Sequence, residues 1–312
     1  MTHQVEVVTP TAMQRRVLNR LRAAHHRLHG ILVAAESGSA PMNQAEYAAL
    51  EAAISAHNHL LELARAGGVA PEWIAAMQSY AERGGRWMQY RAVPVGRVYR
   101  DSLLTAVSAD VSVLREMTAL NARHGVLGAR EDPRLARQFD HAMTDIRSYA
   151  LVITRLLRLD RDEMRQVWTR GPREWIGRGA AMVRDLDDDT ARTAWITAAR
   201  RDTGMYRRRV HAAASAGVHP LDATTVRTSN ADLTRDIRTA LALAADIESV
   251  TGPASAADAG TAIAAANLTG TAPHTGARAD ADTAPDHDNP YWVVPDTGLG
   301  TAPPGLDAAE RP

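Results

Sequence analysis

Apolar residues along this chain recur every three or four positions, in blocks interrupted by Gly, Pro and Asp. That period lines one face of an α-helix. Met13, Val17, Leu21, Ala24, Leu28, Ile31 and Ala35 predict a first helix, with Gly30 as a place for a break or kink. Residues 37–41 read as a loop. Asn43 and Glu46 then make a capping-box start, since each side chain can satisfy the other's free backbone N–H. The second helix is expected to run to about Ala66 on Tyr47, Leu50, Ile54, Leu61 and Ala64. Gly67 and Gly68 supply a positive-φ stop. Pro71 fits the first turn of a third helix, where its missing N–H costs nothing. That helix turns Trp73, Ile74, Met77, Tyr80 and Ala81 inward and ends at Gly84-Gly85.

Residues 86–100 are less regular, because Pro94 and Gly96 interrupt any helix. A fourth helix begins at Asp101 on Leu104, Val107, Val111, Leu114, Met117 and Leu120. Asp132-Pro133 opens a fifth that continues to Leu156-Leu157. Asp160 with Glu163 caps a short helix, Pro172 starts another, and residues 187–190 cap one reaching Gly204 or beyond. Ser229 and Asp232 open the last, built on Leu233, Ile237, Leu241, Leu243 and Ile247. The expected fold is all-α, with roughly eight helices in antiparallel, bundle-like packing and a disordered acidic C-terminal tail. The expected division is 1–100, 101–252 and 253–312, with the loop at Pro94 and Gly96 as the first boundary.

Composition sharpens this picture mainly by exclusion. The chain has 312 residues and no cysteine, so disulfides, thiolate nucleophiles and Cys-ligated metals are out. All 36 basic residues are arginines, which removes a P-loop or Schiff-base lysine. Aromatics are only 4%, and alanine carries much of the apolar count. No GxSxG, Gly-rich dinucleotide loop or triad spacing is present. The chain is therefore expected not to be an enzyme and to need no cofactor or metal. His25 and His29 have workable spacing for a metal pair but lack further ligands, and the run Asp185, Asp187, Asp188, Asp189 reads as a helix cap. Without a signal-type start or a long apolar run, a cytoplasmic protein with no membrane partner is expected.

Charge is uneven. From residue 253 onward stand Asp258, Asp280, Asp282, Asp286, Asp288, Asp296, Asp307 and Glu310 against only Arg278 and Arg311. A chain of no net charge thus divides into a body of about +6 and a tail of about −6. The first helix is basic on its outer face, with Arg15, Arg16, Arg20, Arg22 and Arg27 and no acid between Glu6 and Glu36.

Three stretches carry candidate chemistry. Leu63, Ala64, Gly68, Val69, Ile74 and Met77, within residues 60–81, resemble a helix-turn-helix motif. The resemblance implies that the third helix would enter a DNA groove. Its outward residues there are Pro71, Glu72, Ala75 and Ala76, which offer little to hydrogen-bond a base, so a purely structural hairpin stands beside that reading. Next comes an acid-free connector containing Arg83, Arg86, Trp87, Tyr90, Arg91, Arg97, Tyr99 and Arg100. Arginines meet phosphates and aromatics stack on bases, so this interleaving suits nucleic acid without sequence reading. Alternatively, its aromatics anchor a loop. Third is the apolar island Tyr291, Trp292, Val293, Val294 in segment 289–295, a docking element for a protein partner or for the chain's own body. The function expected is a non-catalytic accessory protein that binds nucleic acid and is modulated by its tail. The alternative is a helical interaction scaffold or oligomer that uses segment 289–295.

Overall fold

A computed structural model describes residues 5–38, 41–84, 94–128, 132–168, 172–221 and 229–247. The tail, including residues 253–312, lies outside them. The elements are β1 (Val5–Val8), α1 (Ala12–Ser37), α2 (Gln44–Ala66), α3 (Pro71–Glu82), β2 (Gly96–Tyr99), α4 (Arg100–Val126), α5 (Pro133–Leu157), α6 (Arg161–Trp168), α7 (Pro172–Val183), α8 (Asp188–Ala199) and α9 (Gly204–Ser215). A further helix, α10, covers residues 230–247. The fold is all-α apart from one small ribbon. No helix among the described residues is long and apolar enough to cross a membrane.

Local chemistry sets most helix starts. Thr11 and Gln14 form a capping box for α1, as Asn43 and Glu46 do for α2. Asp132 precedes Pro133 at the start of α5, and its side chain accepts the Arg134 N–H. Gly68, at φ +71°, ends the α2 turn in a region that other residues avoid. A Cβ there would also press on Leu157 and Leu103, so the turn needs glycine twice over.

The core is organised on α5, which buries residues from Phe139 to Leu157 and packs against α4, α8 and α9. Buried residues before and after the Pro94 loop belong to one continuous core, from Val17 of α1 to Leu241 of α10. One aromatic cluster joins α4, α5 and α8. The Trp195 ring stacks between Phe139, at 5.1 Å, and His124, at 4.1 Å, while its Nε1–H donates to Asn121.

Four features depart from the sequence expectation. Residues 5–8 and 96–99 form an antiparallel ribbon, with Val7 opposite Arg97. At four residues each, these strands are too short for alternation to announce them. Helix α1 passes through Gly30 without interruption. The single helix expected from residue 187 to 204 or beyond is two, α8 and α9. Arg200 caps α8, the Thr203 hydroxyl is drawn to Asp145 of α5 at 2.9 Å, and the Asp202 carboxylate accepts the Gly204 N–H to open α9. Finally, Tyr47, Ile54 and Leu243, expected inside, are exposed, at 55%, 40% and 60%. The α2 face toward the core is instead Ala53, His57, Leu60, Leu63 and Ala64.

Candidate nucleic-acid interface

The hairpin that resembles a DNA reader is held from three sides. The Gln14 side chain of α1 donates to the carbonyls of Gly67 and Gly68, at 2.9 and 3.1 Å. Trp73, fully buried, donates its Nε1–H to the Pro94 carbonyl at 2.8 Å, and Gly96 of β2 lies flat against its ring. The Glu72 carboxylate accepts the Arg97 N–H at 3.3 Å. The first turn of α3 therefore faces a strand of its own chain, and its outward residues Pro71 and Ala75 present no hydrogen-bonding side chain.

Of the eight connector residues, the four described ones are divided among the end of α3, β2 and α4. Arg83 caps α3, donating to the Ser79 carbonyl and lying over the Tyr80 ring at 5.2 Å. Arg97 is exposed on the ribbon, and Tyr99 leads into α4. Arg100 is turned inward. It makes two 2.7 Å bonds to the Glu163 carboxylate and a third to the Leu157 carbonyl. The bond to Glu163 raises the Arg100 pKa above its usual value, against the opposing effect of burial. Arg86, Trp87, Tyr90 and Arg91 lie outside the described residues, as do Tyr291, Trp292, Val293 and Val294.

A different arginine surface is assembled by the tertiary fold. Arg16 and Arg20 of α1 are one turn apart on the same face, and they meet the end of α9. Arg16 donates to the Gly217 carbonyl at 3.2 Å, and Arg20 donates to the Ser215 hydroxyl at 3.3 Å. Ser215, His211 and Arg208 share one stripe of α9, spaced by four and three residues. Arg208 and His211 are exposed on that stripe, and the Arg208 guanidinium folds back over Gly204, where the Asp202 carboxylate also lies. His59 of α2 senses the same field: burial first, then the charges of Arg208 and Arg209, lower its pKa from the ordinary value. By contrast, Arg209 is drawn toward the Glu62 carboxylate and the Tyr149 ring, and Arg207 lies 3.9 Å from Asp145. Arg16 and Arg20 define the seam where α1 meets the end of α9, and Arg208 is the exposed arginine on the same α9 stripe. Sequence alone shows arginines on both helices, yet nothing in it shows that positions about 200 apart meet.

Other polar clusters have structural assignments. His25 approaches His57 at 3.3 Å and Glu82 at 3.3 Å, rather than pairing with His29. No three metal-ligating side chains converge among the described residues. Asp187 caps α8 by accepting the Thr190 N–H and hydroxyl, which lower its pKa, and Asp188 pairs with Arg123 at 2.9 Å. A cleft of about 390 Å³ between α4, α5 and α10 is lined by Asn121, Asp140, Thr234 and Arg238 among others. It mixes charges of both signs and does not extend the seam. No protein-family model, curated protein or solved structure matches this chain.

Proposed function

We propose that this chain is a non-catalytic helical accessory protein that binds a nucleic-acid backbone along the α1–α9 arginine seam, without reading sequence. One observation carries the reading: Arg16 and Arg20 are fixed by a carbonyl and a hydroxyl, not by carboxylates. A guanidinium oriented by neutral acceptors is held in place while its charge stays uncancelled, ready to replace counterions on a phosphate chain. The acidic tail competes for the same surface. Titration of labelled single- and double-stranded DNA against salt tests this. Relative to the wild type, Arg16→Ala/Arg20→Ala/Arg208→Ala should lower the salt slope on duplex DNA by about 3, because each lost phosphate contact removes roughly 0.9. Absence of low-salt binding, or an unchanged slope in the triple variant, rejects the reading.

A second reading, a protein-interaction scaffold, is favoured by the far end of the α1–α2 hairpin. Leu32, Val33, Tyr47 and Ile54 are exposed there, and no arginine occurs between Arg27 and Arg65. Apolar exposure of this kind is typical of a docking surface. Sedimentation separates the two readings: Leu32→Gln/Tyr47→Gln dissociates an assembly built on that end and leaves seam-dependent DNA binding intact.

A further inference from the structure

Among the described residues, the N-terminal ribbon has one covered edge and one open edge. On β2, the Arg97 N–H turns away from β1 to reach Glu72, and Gly96 abuts Trp73 and Ala70. In an antiparallel ladder, facing residues either exchange both backbone bonds or exchange none. Because the Arg97 N–H points outward, Arg97 and Val7 are a non-exchanging pair, and the Val7 N–H and C=O point to the far side of β1. Among the described residues neither group has a backbone or side-chain partner. The Val7 side chain is 69% exposed. An apolar strand with unpaired backbone groups along its free side is a template for another strand.

We infer that residues 291–294 of the same chain add to this edge as a third strand. Tyr291, Trp292, Val293 and Val294 are aromatic or β-branched, the residue types that suit a pleated, half-buried surface. Pro290 and Pro295 bracket them, and because proline has no N–H to give, the ladder is confined to four residues, the length of β1. Charge favours the same site. Asp286, Asp288 and Asp296 flank the segment, while Arg97 shares the Val7 face of the ribbon and β1 runs directly into the arginine-bearing start of α1. Reach is ample: the more than forty residues after α10 span up to ~140 Å when extended, several times the radius of a body of this size. Docked there, the tail places its acids beside the first turns of α1, close to the seam. The contact stands independently of what the seam binds.

The absence of natural cysteine permits a direct test in the full chain. Val7→Cys/Val293→Cys, treated in dilute solution with a short bismaleimide, should form an intramolecular cross-link at least about tenfold faster than Val7→Cys/Ala264→Cys. Adding Trp292→Ala should bring the faster rate down to the control. Equal rates in the two pairs overturn the inference, and so do covalent dimers in place of cross-linked monomer, which would assign the edge to a second copy. Amide hydrogen exchange at residues 5–8 gives a check with β1 unaltered. Val293→Pro should accelerate exchange there, and exchange unchanged from wild type overturns the third strand. Cross-linking reads the contact and DNA titration reads the seam, so either can fail without the other.

Discussion

Thr234 buries a hydroxyl that has no hydrogen-bond partner among the described residues, although the side chain is only 5% exposed. An unmet buried donor costs about 1–3 kcal/mol, more than a typical hydrogen bond contributes. Thr234→Val, which keeps the shape and removes the hydroxyl, should therefore raise stability by about 1 kcal/mol. Thermal melting followed by circular dichroism reads this as a rise of a few degrees; a fall would mean that the hydroxyl bonds in solution. His57 makes a pH-dependent contribution. Burial first, and the charge of His25 in addition, lower its pKa from the ordinary 6.5, while the Asn58 side chain opposes the shift. The folded protein thus prefers the neutral ring. The stability this contributes is fully present above about pH 6.5 and is lost as pH falls through the depressed value. His57→Gln should consequently show a smaller drop in melting temperature from pH 7 to pH 5 than the wild type, and parallel curves would exclude this role.

At the scale of elements, the join between α4 and α6 shows how a residue suited to phosphate is used internally. Arg100 opens α4, and its guanidinium grips Glu163 in the first turn of α6 while also holding the last α5 carbonyl, that of Leu157. Both side chains are mostly buried, so cutting one leaves the other poorly solvated. Arg100→Gln should destabilise the fold by about 2–3 kcal/mol, measured by denaturant unfolding, and leave the salt slope of DNA binding unchanged. A reduced slope with unchanged stability would return Arg100 to the binding surface. The same logic explains the hairpin of α2 and α3. Its Gly67-Gly68 turn and apolar spacing suit a groove-reading motif, but Glu72 and Trp73 are engaged by β2 and the Pro94 loop, so the first turn of α3 is committed to its own chain.

For the whole molecule, the separation of a body near +6 from a tail near −6 should set how binding responds to salt. Asp286→Asn/Asp288→Asn/Asp296→Asn should bind DNA several-fold more tightly at low salt, and the difference should vanish near 0.5 M, where screening acts over only about 4–5 Å. Equal affinities at low salt would mean that the tail does not compete for the seam. The helical class, most helix starts and the charge division are legible in the residues alone. Those depend on residues three or four apart, on caps such as Asn43 with Glu46, and on composition, all of which act locally. What two distant segments do on meeting is set by the packing of the folded chain. It paired residues 5–8 with 96–99, split α8 from α9 by drawing Thr203 to Asp145, and withdrew Arg100 from the surface. It also set Arg16 and Arg20 against the end of α9, joining two basic helices into one seam. Helical periodicity shows which face of a helix is apolar, but which other helix stands beside its polar face depends on how the whole core packs, and no local pattern records that.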